Sequence, residues 1–331
     1  MGKLEQQVAR NRDRSRRIDA RFIAAPESGD RNLTFPRNII RVRVSLDVYR
    51  RALNQSLVSG HPTPAHGSGR GVAGDVRGSW SHVTSETTSA QFVRSGRNIV
   101  RDALTGETGA VETHAVGHGD SPASVGDTSL DAQTDERVAW GVRDGTGILR
   151  TRSHFRFNHG FTDTDVREFA VNDIEGRLMT RLVLGPNTSF DRNEELRADV
   201  TFTFEGRGAG GSVITNDGID AIADAIRTQS ETFGMDELAF GRDQTDADPS
   251  QTALGDEVYR QSALRAVENE RVVLTTRTDR RHPDPEQPVD LHELAVFDNS
   301  DPQRMMWRTT FSTLEKDDRF GFRTLVSFRI R

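Results

Sequence analysis

Gly206, Gly208 and Gly211 satisfy G-x-G-x-x-G after a predicted strand and before a predicted helix, the context in which bare backbone cradles a dinucleotide pyrophosphate. The preceding strand alternates as an antiparallel one does, and the glycines fall between two repeats described below. A flexible joint is the better reading. His114 and His118 are four apart, but they straddle a predicted strand and turn, where that spacing does not converge two ligands as a helix would, and no third ligand is evident. Asp243, Asp246 and Asp248 are candidates for oxygen ligation of a hard cation, although acidic loops also arise from salt adaptation. The chain has no cysteine and no G-x-S-x-G elbow, and its carboxylates are so numerous that any chosen pair would be arbitrary. The expectation is no catalytic residue, no cofactor and no metal beyond those three aspartates.

Two other groups invite contacts rather than chemistry. Arg10, Arg14, Arg17 and Arg21 line one face of a predicted helix over 3–22. Three acids are interspersed from residues 5 to 19, so docking onto an acidic protein neighbour is preferred to nucleic-acid binding. Trp80, in a polar segment, is a candidate surface contact, whereas Trp307 reads as strand packing.

Composition frames these candidates. Of 44 basic residues in 331 only Lys3 and Lys316 are lysines, against 50 Asp and Glu. An arginine fork is weakly hydrated and stays paired where an ammonium would be solvated. Such an acidic, lysine-poor chain of 34% hydrophobic residues resembles proteins of extreme halophiles and their viruses, although a high-GC genome also favours arginine. At molar salt the Debye length is about 3 Å, so surface charge acts mainly through hydration. Residues 1–51 hold 13 Lys and Arg against 6 Asp and Glu, a net of +7, which leaves −13 on the rest of a chain of net −6. No window has the roughly 18 apolar residues of a membrane span, and residues 1–20 lack the apolar core of a secretory signal.

The elements follow. Ile40, Val42, Val44 and Leu46 alternate with Arg41, Arg43 and Ser45, predicting a half-buried strand over 39–46. Residues 54–90 are rich in Gly, Ser, Thr, Pro and His and read as a long loop. Beyond it the chain repeats itself. SGRNIVRDAL (95–104) matches DGIDAIADAI (217–226), and Ala115, Gly117, Thr128 and Leu130 match Ala239, Gly241, Thr252 and Leu254. DVREFAV (165–171) matches DLHELAV (290–296), RLMTR (177–181) matches RMMWR (304–308), and LRADVTFTF (196–204) matches FRTLVSFRI (322–330). The five blocks keep their order with offsets of 122 to 127. Each unit opens with a helix (95–105, 217–228). Strands follow at 147–157, 166–171, 177–184 and 196–204, and again at 271–278, 290–297, 304–311 and 322–330. Strands in succession with short polar turns predict a mainly β protein with short helices: two tandem, duplicated antiparallel sandwich-like domains behind an N-terminal helical arm. The expected divisions are an arm (1–52), a linker (53–91), repeat 1 (92–206), a glycine-rich joint (207–211) and repeat 2 (212–331).

Leu238 to Gly241, Thr252 to Gly255, Glu257, Arg260, RMMWRTTF (304–311) and Val-Ser-Phe-x-Ile (326–330) together resemble a module of virion structural proteins of tailed phages and haloarchaeal tailed viruses. In that family a helix leads to a strand ending in an Ala-Leu-Gly-Thr-Gly-like turn; here Arg242 and Asp243 stand where Thr-Gly is usual. The resemblance implies a non-enzymatic tail-tip, baseplate or fibre subunit, assembled in the host cytoplasm into the virion as a symmetric homo-oligomer with other virion proteins. It also implies a host surface layer or glycan as a further partner, with no specific nucleic acid and no membrane span. The alternatives are a capsid-vertex turret or decoration protein of such a virus, and a cellular carbohydrate- or surface-binding sandwich protein of a halophile. The arm is expected to hold neighbouring subunits, lending them the 39–46 strand across the flexible linker.

Overall fold

A computed structural model of the chain describes residues 21–24, 31–35, 38–52, 79–86, 91–106, 109–156, 164–190, 194–208, 211–227, 234–268, 271–279, 288–316 and 321–331. Arg10, Arg14, Arg17 and most of the expected N-terminal helix lie outside them. Arg21 and Phe22, expected to close that helix, instead open a strand, β1 (Arg21–Ala24), paired with β2 (Arg31–Thr34).

The duplicated pattern is laid out strand for strand. One unit runs β5 (Gln91–Phe92), α1 (Arg94–Leu104), β6 (Val111–Gly117), β7 (Gln133–Val138), β8 (Trp140–Arg143), β9 (Ile148–Arg156), β10 (Thr164–Asp173), β11 (Leu178–Phe190) and β12 (Glu194–Arg207). The other runs β13 (Val213–Ile214), α2 (Asn216–Arg227), β14 (Met235–Gly241), β15 (Glu257–Ser262), β16 (Leu264–Glu268), β17 (Arg271–Thr278), β18 (Val289–Asp298), β19 (Met305–Lys316) and β20 (Phe322–Ile330). Each builds a five-stranded antiparallel sheet of the same order, β5-β11-β10-β6-β7 and β13-β19-β18-β14-β15. Registers agree as well: Ala115 faces Ala170 in one sheet and Ala239 faces Ala295 in the other. The sequence pattern missed β7, β8, β15 and β16, which lie at sheet edges and carry little hydrophobic period.

The helices begin differently. Thr215 caps α2, its hydroxyl accepting the Gly218 N–H at 3.0 Å, whereas Val93 precedes α1 with no side-chain cap. Both helices press a glycine against the five-stranded sheet of their own unit: a Cβ at Gly96 or Gly218 would overlap the carbonyl oxygen of Met179 or Met306.

The remaining strands form one ten-stranded sheet shared by both units, so the 207–211 joint does not separate two bodies. Arg207 is still paired with Ile39 as β12 ends. The keystone is β3 (Asn38–Ala52), antiparallel to β12 along its length and parallel to β20 over Asn38–Ile40. The arm's strand therefore completes a sheet within its own chain rather than being lent to a neighbour. Ile40, Val44, Leu46 and Val48 are buried there, and leaving them in water would cost about 1.5–3 kcal/mol each. Within the expected 53–91 linker, Ser81–Glu86 is a strand, β4, paired with β3.

The inner face of the large sheet meets the two five-stranded sheets. Phe155 packs edge-on to Phe169, and Phe240 to Phe322. Each helix also reaches the other unit: α1 touches β17 and β20, while α2 touches β8, β9 and β12, and the helices touch each other. Asp220 of α2 accepts the Gly147 N–H at 2.7 Å. Among the described residues no helix is long and apolar enough to cross a membrane.

Candidate functional site

The residues able to do chemistry are largely engaged with one another, and the engagements occur twice. Glu168 in β10 sits opposite Gly117 in β6, and a Cβ on that glycine would collide with its carboxylate. Glu168 accepts the Gly119, Asp131 and Ala132 N–H groups at 3.0, 3.0 and 2.7 Å, and Nε of Arg181 at 3.0 Å. Arg181 reaches Asp127 at 2.9 Å and Asp131 at 2.7 Å. Glu293 and Gly241 repeat the arrangement: Glu293 accepts the Asp243, Gly255 and Asp256 N–H groups and Nε of Arg308. Both arginines and both glutamates are fully buried. Charge in such a place survives only when every donor and acceptor is met. Two acidic loops, 119–132 and 242–256, are thus each fastened to a sheet by a buried Arg–Glu pair.

A second cross-link fixes each β-turn to its helix. Asp173 accepts the Arg177 N–H at 2.7 Å and its Nε at 2.8 Å, and Arg177 extends to Asp102 of α1 at 3.2 Å. Asp298, Arg304 and Asp224 of α2 repeat it at 2.7, 2.8 and 3.4 Å.

This accounts for the sequence candidates. Asp243 pairs with Arg308 at 3.1 Å, and its hydrogen bonds from Thr245, then the nearby guanidinium, hold its carboxyl below the usual range. The Asp246 carbonyl accepts from Arg308, and Asp248 accepts the Ser250 N–H at 2.8 Å. A guanidinium stands where a cation would be sought, and among the described residues no group of three or more His, Asp or Glu is arranged to hold a metal. His114 lies wholly inside the protein, 2.8 Å from both Ser153 Oγ and Thr151 Oγ1, and burial pushes its pKa down to about 3. His118 bonds the Asp165 carbonyl instead, so the two histidines do not converge. Gly206 pairs with Ile40 in the large sheet.

Trp80 is half-buried on the outer face of the first unit's part of that sheet. Arg51 lies over its ring at 4.4 Å and Arg197 at 5.1 Å, and Arg197 also lies 4.0 Å from the Tyr49 ring. His154 sits between Trp80 and the exposed Trp140, at ring distances of 5.2 and 5.0 Å. Beneath them is Glu195, fully buried and bound by Arg51 at 2.6 Å and by Arg156. Burial alone would raise its pKa, but the two guanidiniums outweigh burial and leave it below the usual range. Arg152 meets Asp199 through two bonds of 2.7 Å. The face thus presents two tryptophans, a tyrosine and a histidine over a bed of paired charge, a surface suited to stacking on flat or ring-shaped ligand groups. Sequence reasoning preferred Trp80 among the tryptophans and named neither Tyr49 nor His154, because alternation places them on one face only once β3, β9 and β12 are known to be neighbours.

Comparison with known protein families, with curated proteins and with solved structures finds no match for this chain.

Proposed function

We propose that this chain is a non-enzymatic structural component of a tailed-virus particle, a tail-tip, baseplate or fibre subunit of a virus of a halophilic host. One observation carries the reading: the fully buried ionisable pairs Arg181 with Glu168 and Arg308 with Glu293 are used as cross-links, once per duplicated unit. An enzyme keeps reactive groups unpaired or poised beside a cleft. Here such groups fasten loops to sheets. The resemblance of the second unit to a virion module supplies the class of assembly, and the arginine-for-lysine composition supplies the host. The face around Trp80, Tyr49 and His154 is the part of this subunit suited to stacking on sugar rings of a host surface layer.

Quantitative mass spectrometry of purified particles tests the reading. The protein should be present in a fixed ratio to the major capsid protein and remain after high-salt washing. Its absence from the particles would overturn the proposal. A map of the intact particle then separates a tail position from a capsid vertex. Salt supplies a second check: the melting temperature should rise from dilute buffer to molar salt as surface carboxylates are screened.

A further inference from the structure

Five large apolar side chains are exposed among the described residues: Val138 at 70%, Trp140 at 45%, Ile174 at 41%, Leu264 at 79% and Val267 at 44%. Four of the five cluster at two places. Val138 and Trp140 mark the corner where β7 passes into β8, and Leu264 and Val267 belong to β16, entered from β15. These corners are the same place in the two units. Trp140 starts β8 opposite Arg152 of β9, and Leu264 starts β16 opposite Thr275 of β17.

The two strands are also the ends of the large sheet. Its order is β16-β17-β20-β3-β12-β9-β8, with β2 and β4 beside β20 and β3 and β1 beside β2. Among the described residues, β8 pairs only with β9 and β16 only with β17, so each presents a bare row of N–H and C=O groups. All five residues of β16 are exposed. Soluble proteins usually blunt such an edge with lysine, proline or a bulge. Here leucine and valine are displayed beside it instead.

Strand polarity says what fits. Every neighbour pair along this order is antiparallel except β20 with β3. Counted from β16, the directions therefore run up, down, up, up, down, up, down. A second sheet set alongside in the same orientation brings its upward β16 against the downward β8, and the antiparallel alternation continues unbroken. Each copy offers one edge of each kind. The junction extends the sheet that already joins the two units inside one chain across β3.

We propose that β8 of one copy pairs with β16 of the next, head to tail, so that the ten-stranded sheets of neighbouring copies form one continuous sheet with Trp140 and Leu264 packed together on its outer face. This rests on the structural-subunit reading above and names the partner as a second copy of this chain. A head-to-tail contact with both edges used closes into a ring when its rotation permits.

The full-length protein is examined by size-exclusion chromatography with light scattering, alongside Trp140→Lys and the pair Leu264→Lys/Val267→Lys. Wild type should be multimeric and each variant monomeric with an unchanged melting temperature. An equimolar mixture of the two variants should give dimers and nothing larger, because each retains the edge that the other lacks. Should a lysine variant melt early, Trp140→Thr and Leu264→Thr take its place, and each should weaken association at least tenfold. A monomeric wild type, multimers unaffected by both variants, or dimers of Trp140→Lys alone would overturn the inference. Protein found in particles but monomeric in solution would sink this contact and leave the virion reading standing. Multimers built through these edges but absent from particles would do the reverse.

Discussion

In the first unit His114 of β6 stands opposite Val171 and bonds to Thr151 and Ser153 of β9. In the second unit Leu238 of β14 stands opposite Val296, and the corresponding residues of β17 are Leu274 and Thr276. The same two layers are therefore joined by a polar bridge in one half and by apolar packing in the other. Thr276 records the change: its hydroxyl is buried with no hydrogen-bond partner among the described residues, whereas the equivalent Ser153 has the histidine. A duplicated backbone tolerates either chemistry at this seam, in the second unit with one buried hydroxyl left unmet. The Arg–Glu clamps, by contrast, are kept in both halves. The first engages three carboxylates (Glu168, Asp127 and Asp131), while the second engages two (Glu293 and Asp243) and the amide of Gln251.

The largest effects should come from the clamps. Arg181→Met and Arg308→Met each leave a buried glutamate unpaired, and each should cost about 3–5 kcal/mol. The loss should be greater for Arg181, which abandons the extra carboxylate, and denaturant midpoints of the two variants compare them directly. Equal losses would show that the loop carboxylates contribute little.

Next is the pin that ties β3 to the second unit alone. Asn38 accepts from Trp307 Nε1 at 2.9 Å and from the Ser212 hydroxyl at 3.0 Å, all of them buried. The residue corresponding to Trp307 is Thr180, which bonds the Gln91 carbonyl and takes no part in holding β3. Asn38→Leu should therefore cost about 2–3 kcal/mol by orphaning buried donors, whereas Thr180→Val should cost no more than about 1 kcal/mol. Thermal denaturation of the pair gives the ranking.

The effect that is smallest at neutral pH grows on acidification. The folded pKa of His114, about 3, is below its unfolded value near 6.5, so between these values the unfolded chain binds a proton that the folded chain refuses. Stability attributable to this residue is fully present above the unfolded pKa and falls as pH drops toward 3, by up to about 1.4 kcal/mol per pH unit. Transplanting the second unit's solution, His114→Leu with Thr151→Leu, should flatten that part of the stability profile while leaving stability near pH 8 within about 1.5 kcal/mol. An unchanged acid slope would mean that other groups carry it.

Much of this architecture is legible in the chain. The five repeated blocks predict the two units because helix period, strand alternation and the glycines at 117 and 241 recur together. The clamps had a signal too: Glu168 and Glu293 lie in one matched block, and Arg181 and Arg308 in another. A charge kept at the same strand position in both copies marks a pairing, whereas scattered loop acids such as Asp246 and Asp248 do not. Other features were hidden for physical reasons. Alternation in 39–46 tells that a strand has one wet face but not whose sheet receives it, and the partners of β3 are about 150 and 290 residues away in sequence. The short edges β7, β8, β15 and β16 bury too little to show a period. The outer face around Trp80 is assembled from separate strands, so no local pattern announces it.

The central claim is that the two units form one interlocked structural body, joined by β3 and by helices that each pack on the other's strands. Native-state amide hydrogen exchange in increasing denaturant addresses it most directly. The amides of Phe169–Val171 in β10 and of Leu294–Val296 in β18 should converge on one opening free energy, together with those of Val200 in β12 and Val326 in β20, as expected of a single cooperative unit. Exchange of the β18 and β20 amides through a separate opening of lower energy, with β10 and β12 still protected, would contradict the account.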